Sequence, residues 1–244
     1  VILVPNGCDF ELFNTAAERK LVVPPEVRDI TAPIIGYYGS ISSWFDIELI
    51  EQVADTFSHC QVVIIGPGSD KVNRSGRHNI LSLGYKSYSD LPHYAQLFDV
   101  ALIPFRVSPL TEAVNPVKMW EYLAAGLPVV SSALPEVRGI TEVYCSESKA
   151  DFMDNIARAL YEDTEEMKRE RIELARKNTW MARAETILGA IQTRVYRKHT
   201  MNTNLSSPSG YPDNNAGNSR FSSMTVKNIV INQGSRDRVL KYQN

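Results

Sequence analysis

Residues 115–130, NPVKMWEYLAAGLPVV, read as a helix that presents its start to a ligand and then passes the chain into a buried strand. Asn115 suits the N-cap, Pro116 the first helical position and Gly126 the position just past the end. A helix start points unpaired N–H groups and a partial positive charge outward, which is how phosphates are held at the edge of a parallel sheet. Lys118 adds a full charge in the first turn. Glu121, three residues on and on nearly the same face, is a carboxylate that two sugar hydroxyls can share. Phosphate, cation and hydroxyl acceptor together point to a nucleotide or nucleotide-sugar site.

Outward from this stretch, short apolar segments alternate with helical patterns. Ile34–Gly39, Gln61–Gly66, Asn79–Leu83, Asp99–Pro104, Leu127–Ser131 and Glu142–Cys145 are strand candidates, several apolar enough to be buried on both faces. Between them, Asp46–Phe57 places Ile47, Ile50, Val53, Ala54 and Phe57 on one face; Ser89–Phe98 and 116–125 supply further helices. The rhythm predicts an α/β fold, a Rossmann-like parallel sheet flanked by helices. Segments 150–162, 164–177 and 180–197 read as C-terminal helices, with Trp180, Ala184, Ile187, Leu188 and Ile191 forming the apolar stripe of the last. The basic residues Lys168, Arg169, Arg171, Arg176 and Lys177 alternate with glutamates, the pattern of a solvated helix.

The expected organisation is a domain over 1–198, a linker over 199–222 where Asn, Ser, Pro and Gly take over, and a tail over 223–244 in which Met224–Asn232 alternates like a strand. VILVPNGCDFELF at the other end reads as a strand, a tight Asn6-Gly7 turn and a loop, an interdomain segment extending to residue 33. With no starting Met, the chain is expected to be a fragment.

At 244 residues and 43% hydrophobic, the chain can bury one good core and an appendage. A net charge of −2 leaves no excess of Lys and Arg to neutralise a nucleic-acid backbone, so no nucleic-acid partner is expected. Cys8, Cys60 and Cys145 are odd in number and widely spaced, which suits reduced core thiols of a cytoplasmic protein better than disulfides or zinc. His59, His78, His93 and His199 show no metal spacing. No apolar run approaches the roughly 18 residues of a spanning helix.

The ordered set VPNGCDFELF, IIGYYGSIS, VVIIGPG, ILSLGY, FDVALIPF and KMWEYLAAGLPVV resembles the C-terminal, donor-binding half of GT-B glycosyltransferases similar to glycosyltransferase family 4, over about Val4 to Lys198. The resemblance implies a transferase that is retaining and metal-independent, works in polysaccharide biosynthesis and needs no cofactor beyond its nucleotide-sugar substrate. It implies that Glu121 holds the donor ribose, that the backbone at Gly39 and Ser40 approaches the diphosphate, that Gly84 and Tyr85 lie beside the base and that Val117 offers a helix-start N–H. A glycan or lipid-linked acceptor would be bound by a missing N-terminal half, which would also supply any group acting on it, so the fragment alone is expected to be inactive. Peripheral membrane association is a further setting that the family admits.

Two departures stand out. The family's arginine after the glycine at 39, and a lysine several residues later, are replaced by Ser40, Trp44, Phe45 and Asp46. Lys118 and Arg106 are the natural substitutes. The first glutamate of the family's pair falls at Ala113, with Glu112 as its neighbour. Simpler readings stand beside these: Lys118 and Glu121 as a surface i,i+3 pair, Asp46 as a helix-start residue and Arg106 as solvated. A sugar-nucleotide epimerase of the same architecture and a non-catalytic interaction domain are the alternative functions.

Overall fold

The computed structural model describes residues 2–204, leaving aside the side chains at 73–75 and 195–204. The elements run α1 (Phe10–Asn14), β1 (Ile34–Tyr38), α2 (Ile47–Thr56), β2 (Gln61–Ile65), β3 (Ile80–Ser82), α3 (Leu91–Ala95), β4 (Val100–Ile103), α4 (Pro109–Glu112), α5 (Val117–Ala124), β5 (Val129–Ser132), β6 (Val143–Ser146), α6 (Lys149–Tyr161), α7 (Glu165–Arg176) and α8 (Trp180–Asn204). All six strands are parallel and lie in the order β3-β2-β1-β4-β5-β6. Every residue of β1, β4 and β5 is buried, as continuous apolar runs covered by helices on both faces require. This is the doubly wound order whose reversal between β1 and β4 opens a crevice beyond the strands' carboxyl ends.

Local chemistry explains most boundaries. Asp46 caps α2 by accepting from the Leu49 amide at 3.2 Å; the helix buries Leu49, Ile50, Val53 and Ala54. Ser148 and Thr164 cap α6 and α7 in the same way. The helix expected over Ser89–Phe98 is shorter: a 3₁₀ turn over Tyr88–Asp90 leads into α3, which ends at Ala95. Residues 1–33, read as an interdomain segment, contain α1 and two 3₁₀ turns, Thr15–Glu18 and Pro25–Val27.

Three expectations are corrected. Asn6-Gly7 is not a turn: the chain is extended there, and Cys8 forms a parallel bridge with Thr179. A Cβ on Gly7 would lie 2.5 Å from the Thr179 carbonyl carbon, so the glycine is required by close approach of α8's start. Arg171 is not solvated. It is 2% exposed, pairs bidentately with Asp163 at 2.7 Å and donates twice to the Gly126 carbonyl at 3.1 and 2.9 Å, satisfying an orphan acceptor just past α5. Finally, α8 continues to Asn204, past the expected start of the linker at 199; the rest of that linker and the tail, with the Met224–Asn232 strand, lie outside the described residues.

The Arg171 cluster yields a stability prediction. Arg171→Met should unfold at lower urea with an unchanged slope, losing about 3 kcal/mol, because a buried acceptor and a carboxylate lose their partner. An unchanged midpoint would show that the cluster contributes nothing net.

Candidate functional site

The loops at the carboxyl ends of β1 and β2 touch. Gly39 donates to the Ile65 carbonyl at 2.8 Å and Ile41 to the Pro67 carbonyl at 2.9 Å. Gly39 and Gly66 have φ of +142° and +135°, and a Cβ on Gly66 would meet the Gly39 carbonyl oxygen at 2.0 Å. A Cβ on Gly39 would meet Lys118 Cε and the Tyr37 hydroxyl, each at 2.8 Å. Only a bare backbone fits between this loop and the start of α5.

The loop after β1 then folds across the sheet onto the loop after β4. Phe45 and Phe105 form an antiparallel bridge, Asp46 donates to the Pro104 carbonyl at 2.9 Å and Arg106 to the Trp44 carbonyl at 2.8 Å. This joins the two strands that flank the switch point. The apolar pair where cations were expected is therefore a structural element, and sequence reading missed it because the pairing is made only across the sheet.

Lys118 enters the space that results. Its ammonium lies 5.0 Å from the Phe105 ring centroid and 5.6 Å from that of Tyr37, and Phe45 packs edge-on against Tyr37 at 4.7 Å. Among the described residues it has no hydrogen-bond or ion-pair partner. Burial holds its pKa below the ordinary lysine value, and only the charge of Glu121 acts the other way. A cation held by ring faces is fixed in place without being neutralised.

The N-cap differs from the expectation. Pro116 occupies it, α5 begins at Val117 and no side chain caps the helix. Asn115 instead accepts from the Asn6 amide at 3.2 Å and, through its carbonyl, from Asn6 Nδ2 at 2.7 Å; its own Nδ2 donates to Glu136 at 2.7 Å. No side chain takes up the first amides of α5, and Lys118 stands in the same turn.

Glu121 lies one turn on, 4% exposed. The Tyr88 hydroxyl donates to its Oε1 at 2.9 Å, and Tyr38, whose buried hydroxyl makes no hydrogen bond of good geometry, packs at a tilt against Tyr122 behind it, ring centroids 4.5 Å apart. Burial pushes the Glu121 carboxyl up to about 7, against the pull of Tyr88 and Lys118. Lys118 and Glu121 are thus no exposed surface pair.

The remaining candidates divide. Ser40 is exposed at the Gly39 turn and accepts from the Tyr37 hydroxyl at 3.1 Å. Gly84, at φ +66°, accepts from Gly66 at 2.7 Å and donates to Ser69 at 3.0 Å, which brings the loop after β3 to the same edge; Tyr85 beside it is 71% exposed. Arg106, half exposed, points to the carboxylates of Asp46 and Glu48, at 3.6 and 3.9 Å. Ala113 ends α4, and Glu112 is exposed. Among the described residues no cluster of ligating side chains could hold a metal ion. A surface hollow lined by Arg19, Asp99, Gly126 and Asp163 lies at the other end of α5, the edge where such sheets do not take ligands.

The family profile described as "Glycosyl transferases group 1" matches residues 32–162, more than half of the chain. The chain belongs to this family. TuaH of Bacillus subtilis (strain 168), a glycosyltransferase assigned to teichuronic acid biosynthesis, is 28% identical over 191 residues, which is 72% of this chain and 47% of the relative. The chain thus spans about half the length of its curated relative. Solved structures share the fold: an α,α-trehalose 6-phosphate synthase of Burkholderia multivorans (TM-score 0.64, 14% identity, 80% of this chain and 51% of that one) and a sucrose-phosphate synthase of Thermosynechococcus elongatus (0.60, 19%, 81% and 53%). Anabaena Alr3699/HepE, solved with UDP and glucose, matches at 0.59 with 14% identity over 77% of this chain and 55% of that one. The six-stranded parallel sheet flanked by helices is the α/β fold expected from the sequence, shared with about half the length of each of these GT-B neighbours.

The raised Glu121 pKa makes stability depend on pH. A carboxyl at 4.5 when unfolded and about 7 when folded favours the fold below 4.5, and that contribution is lost as pH rises to about 7. Stability of the wild type should therefore fall across this window by on the order of 3 kcal/mol relative to Glu121→Gln. Parallel pH profiles for the two proteins would show that Glu121 does not titrate there.

Proposed function

We propose that this chain is the donor-binding half of a glycosyltransferase of the family 4 kind, holding a nucleotide-sugar while an acceptor is glycosylated. The observation that carries the reading is Lys118: a half-buried lysine whose ammonium has no hydrogen-bond or ion-pair partner among the described residues, in the first turn of a helix without a side-chain cap and against the Gly39 loop at the switch point. An anion at that position would gain the helix dipole, the open amides and a full charge in low-dielectric surroundings. A diphosphate fits this set, and its charge as a leaving group would be stabilised by the same groups.

Glu121 would then read the ribose, and Gly84 and Tyr85, one crossover away on the same edge, would border the base. We assign no catalytic base to this chain; retaining, metal-independent transfer is the mechanism most compatible with a site of backbone amides and one lysine. The teichuronic acid assignment of TuaH favours a glycan acceptor, met on a partner domain at the cytoplasmic face of a membrane. Among the described residues no helix is long and apolar enough to cross one. UDP is the first ligand to try, since Alr3699/HepE was solved with it.

Calorimetric titration of the folded chain with UDP, GDP, ADP and dTDP should give binding with at least one, and silence with all four would refute the reading. Lys118→Ala should weaken the bound diphosphate by about 1.5–3 kcal/mol and leave the matching nucleoside almost unaffected. Affinity should also decline at a pH below that at which an ordinary lysine deprotonates, because burial has already lowered the Lys118 pKa. Equal losses for nucleotide and nucleoside would assign Lys118 to the fold alone.

A further inference from the structure

We propose that Tyr88 is a displaceable cover on Glu121, whose place a ligand's vicinal diol takes, so that Tyr88 sets how sharply the site separates a ribonucleotide from its deoxy analogue. The inference rests on the donor-binding reading above. With Glu121 4% exposed and Oε1 already accepting from the Tyr88 hydroxyl at 2.9 Å, no ligand hydroxyl reaches that oxygen unless the phenol leaves. A carboxylate has only two oxygens to offer, and the cover takes one of them.

Tyr88 is built to leave. It is 37% exposed and sits on the three-residue 3₁₀ turn Tyr88–Asp90, not on a strand or long helix. Its ring makes an edge-on contact with Phe13 at 5.3 Å. Tyr38 is the opposite case, 2% exposed at the end of β1 and wedged between Phe13 and Tyr122. Its hydroxyl is close enough to act on the Glu121 charge yet finds no hydrogen-bond partner. A buried hydroxyl without a partner is a standing penalty. A diol entering where the Tyr88 hydroxyl sits would meet Glu121 and lie beside this hydroxyl, which now makes at best a poorly formed contact with the carboxylate.

The groups acting on Glu121 come from four directions: Lys118 and Tyr122 from its own helix, Cys8 and Asp9 from the segment before α1, Tyr38 from β1 and Tyr88 from the turn before α3. Tyr88 is the one of these that combines a hydrogen bond to the carboxylate with a side chain open to solvent.

The test uses the 244-residue chain, UDP and 2′,3′-dideoxy-UDP. Tyr88→Phe keeps the ring against Phe13 and removes only the hydroxyl. UDP should bind this variant about three- to tenfold more tightly, with the dideoxy form little changed, so that the ratio of the two affinities widens. An unchanged ratio would overturn the cover, and so would weaker UDP binding with a narrowed ratio, which would make the Tyr88 hydroxyl a direct ribose contact. A second readout needs no substitution: saturating UDP should raise iodination of Tyr88 in the wild type, mapped by peptide mass spectrometry, whereas protection or no change contradicts displacement. The two readings fail separately. If the wild type does not distinguish UDP from its dideoxy analogue, the ribose assignment falls; if it does and neither Tyr88 readout moves as stated, only the cover falls.

Discussion

Helix α5 carries a half-buried lysine and a buried glutamate within its first turn and a half, and much of the domain is arranged around that constraint. Lys118 and Glu121 both lie where burial works against ionisation, and they do not neutralise each other through a direct ion pair. Desolvated charges of this kind persist only where the surroundings are fixed. Here α5 is held at both ends: Asn115 is tied to Asn6 before its start, and Arg171 grips the Gly126 carbonyl after its end. Between them, Met119, Tyr122 and Leu123 are fully buried, so the helix cannot rotate its charges out to water without dismantling the core.

The same constraint accounts for the departures from the family pattern. The loop after β1 carries no arginine or lysine at the expected places, and it uses the room for Trp44, whose carbonyl accepts from the Arg106 amide, and Phe45, which bridges to Phe105 across the switch point. The aromatic surface so made is what Lys118 rests on. The positive charge beside this turn thus comes from the helix, at Lys118, and not from the loop. Arg106, the other apparent replacement, is drawn instead to Asp46 and Glu48 at the start of α2.

The N-terminal segment belongs to the same scheme. Asn6, Gly7 and Cys8 run extended between the start of α5 and the start of α8, with Cys8 exchanging backbone hydrogen bonds with Asn178 and Trp180. A short stretch therefore joins the start of α5 to the closing helix. Residues distant by more than a hundred positions are set by a few main-chain bonds, which give such a junction little freedom to slide.

The apolar rhythm of the sequence determined the parallel α/β sheet, because strands covered on both faces must be uninterrupted in hydrophobicity and the helices between them must carry one apolar stripe. Asn-Pro at the start and Gly126 at the end likewise marked the helix that carries Lys118 and Glu121, and the position of the family's glycine-rich turn was legible at Gly39. What the sequence could not decide was which polar groups end up dry. Arg171 reads as one more charge in an alternating helix, yet it is buried, because its partners Asp163 and Gly126 come from elsewhere in the chain. Asn6-Gly7 has turn chemistry, yet the close approach of Thr179 requires the glycine there. Tyr88 gave no signal at all. Propensity and periodicity describe a residue's own element, whereas desolvation, orphaned hydroxyls and charge partners arise from contacts between elements, and only the folded chain brings those together.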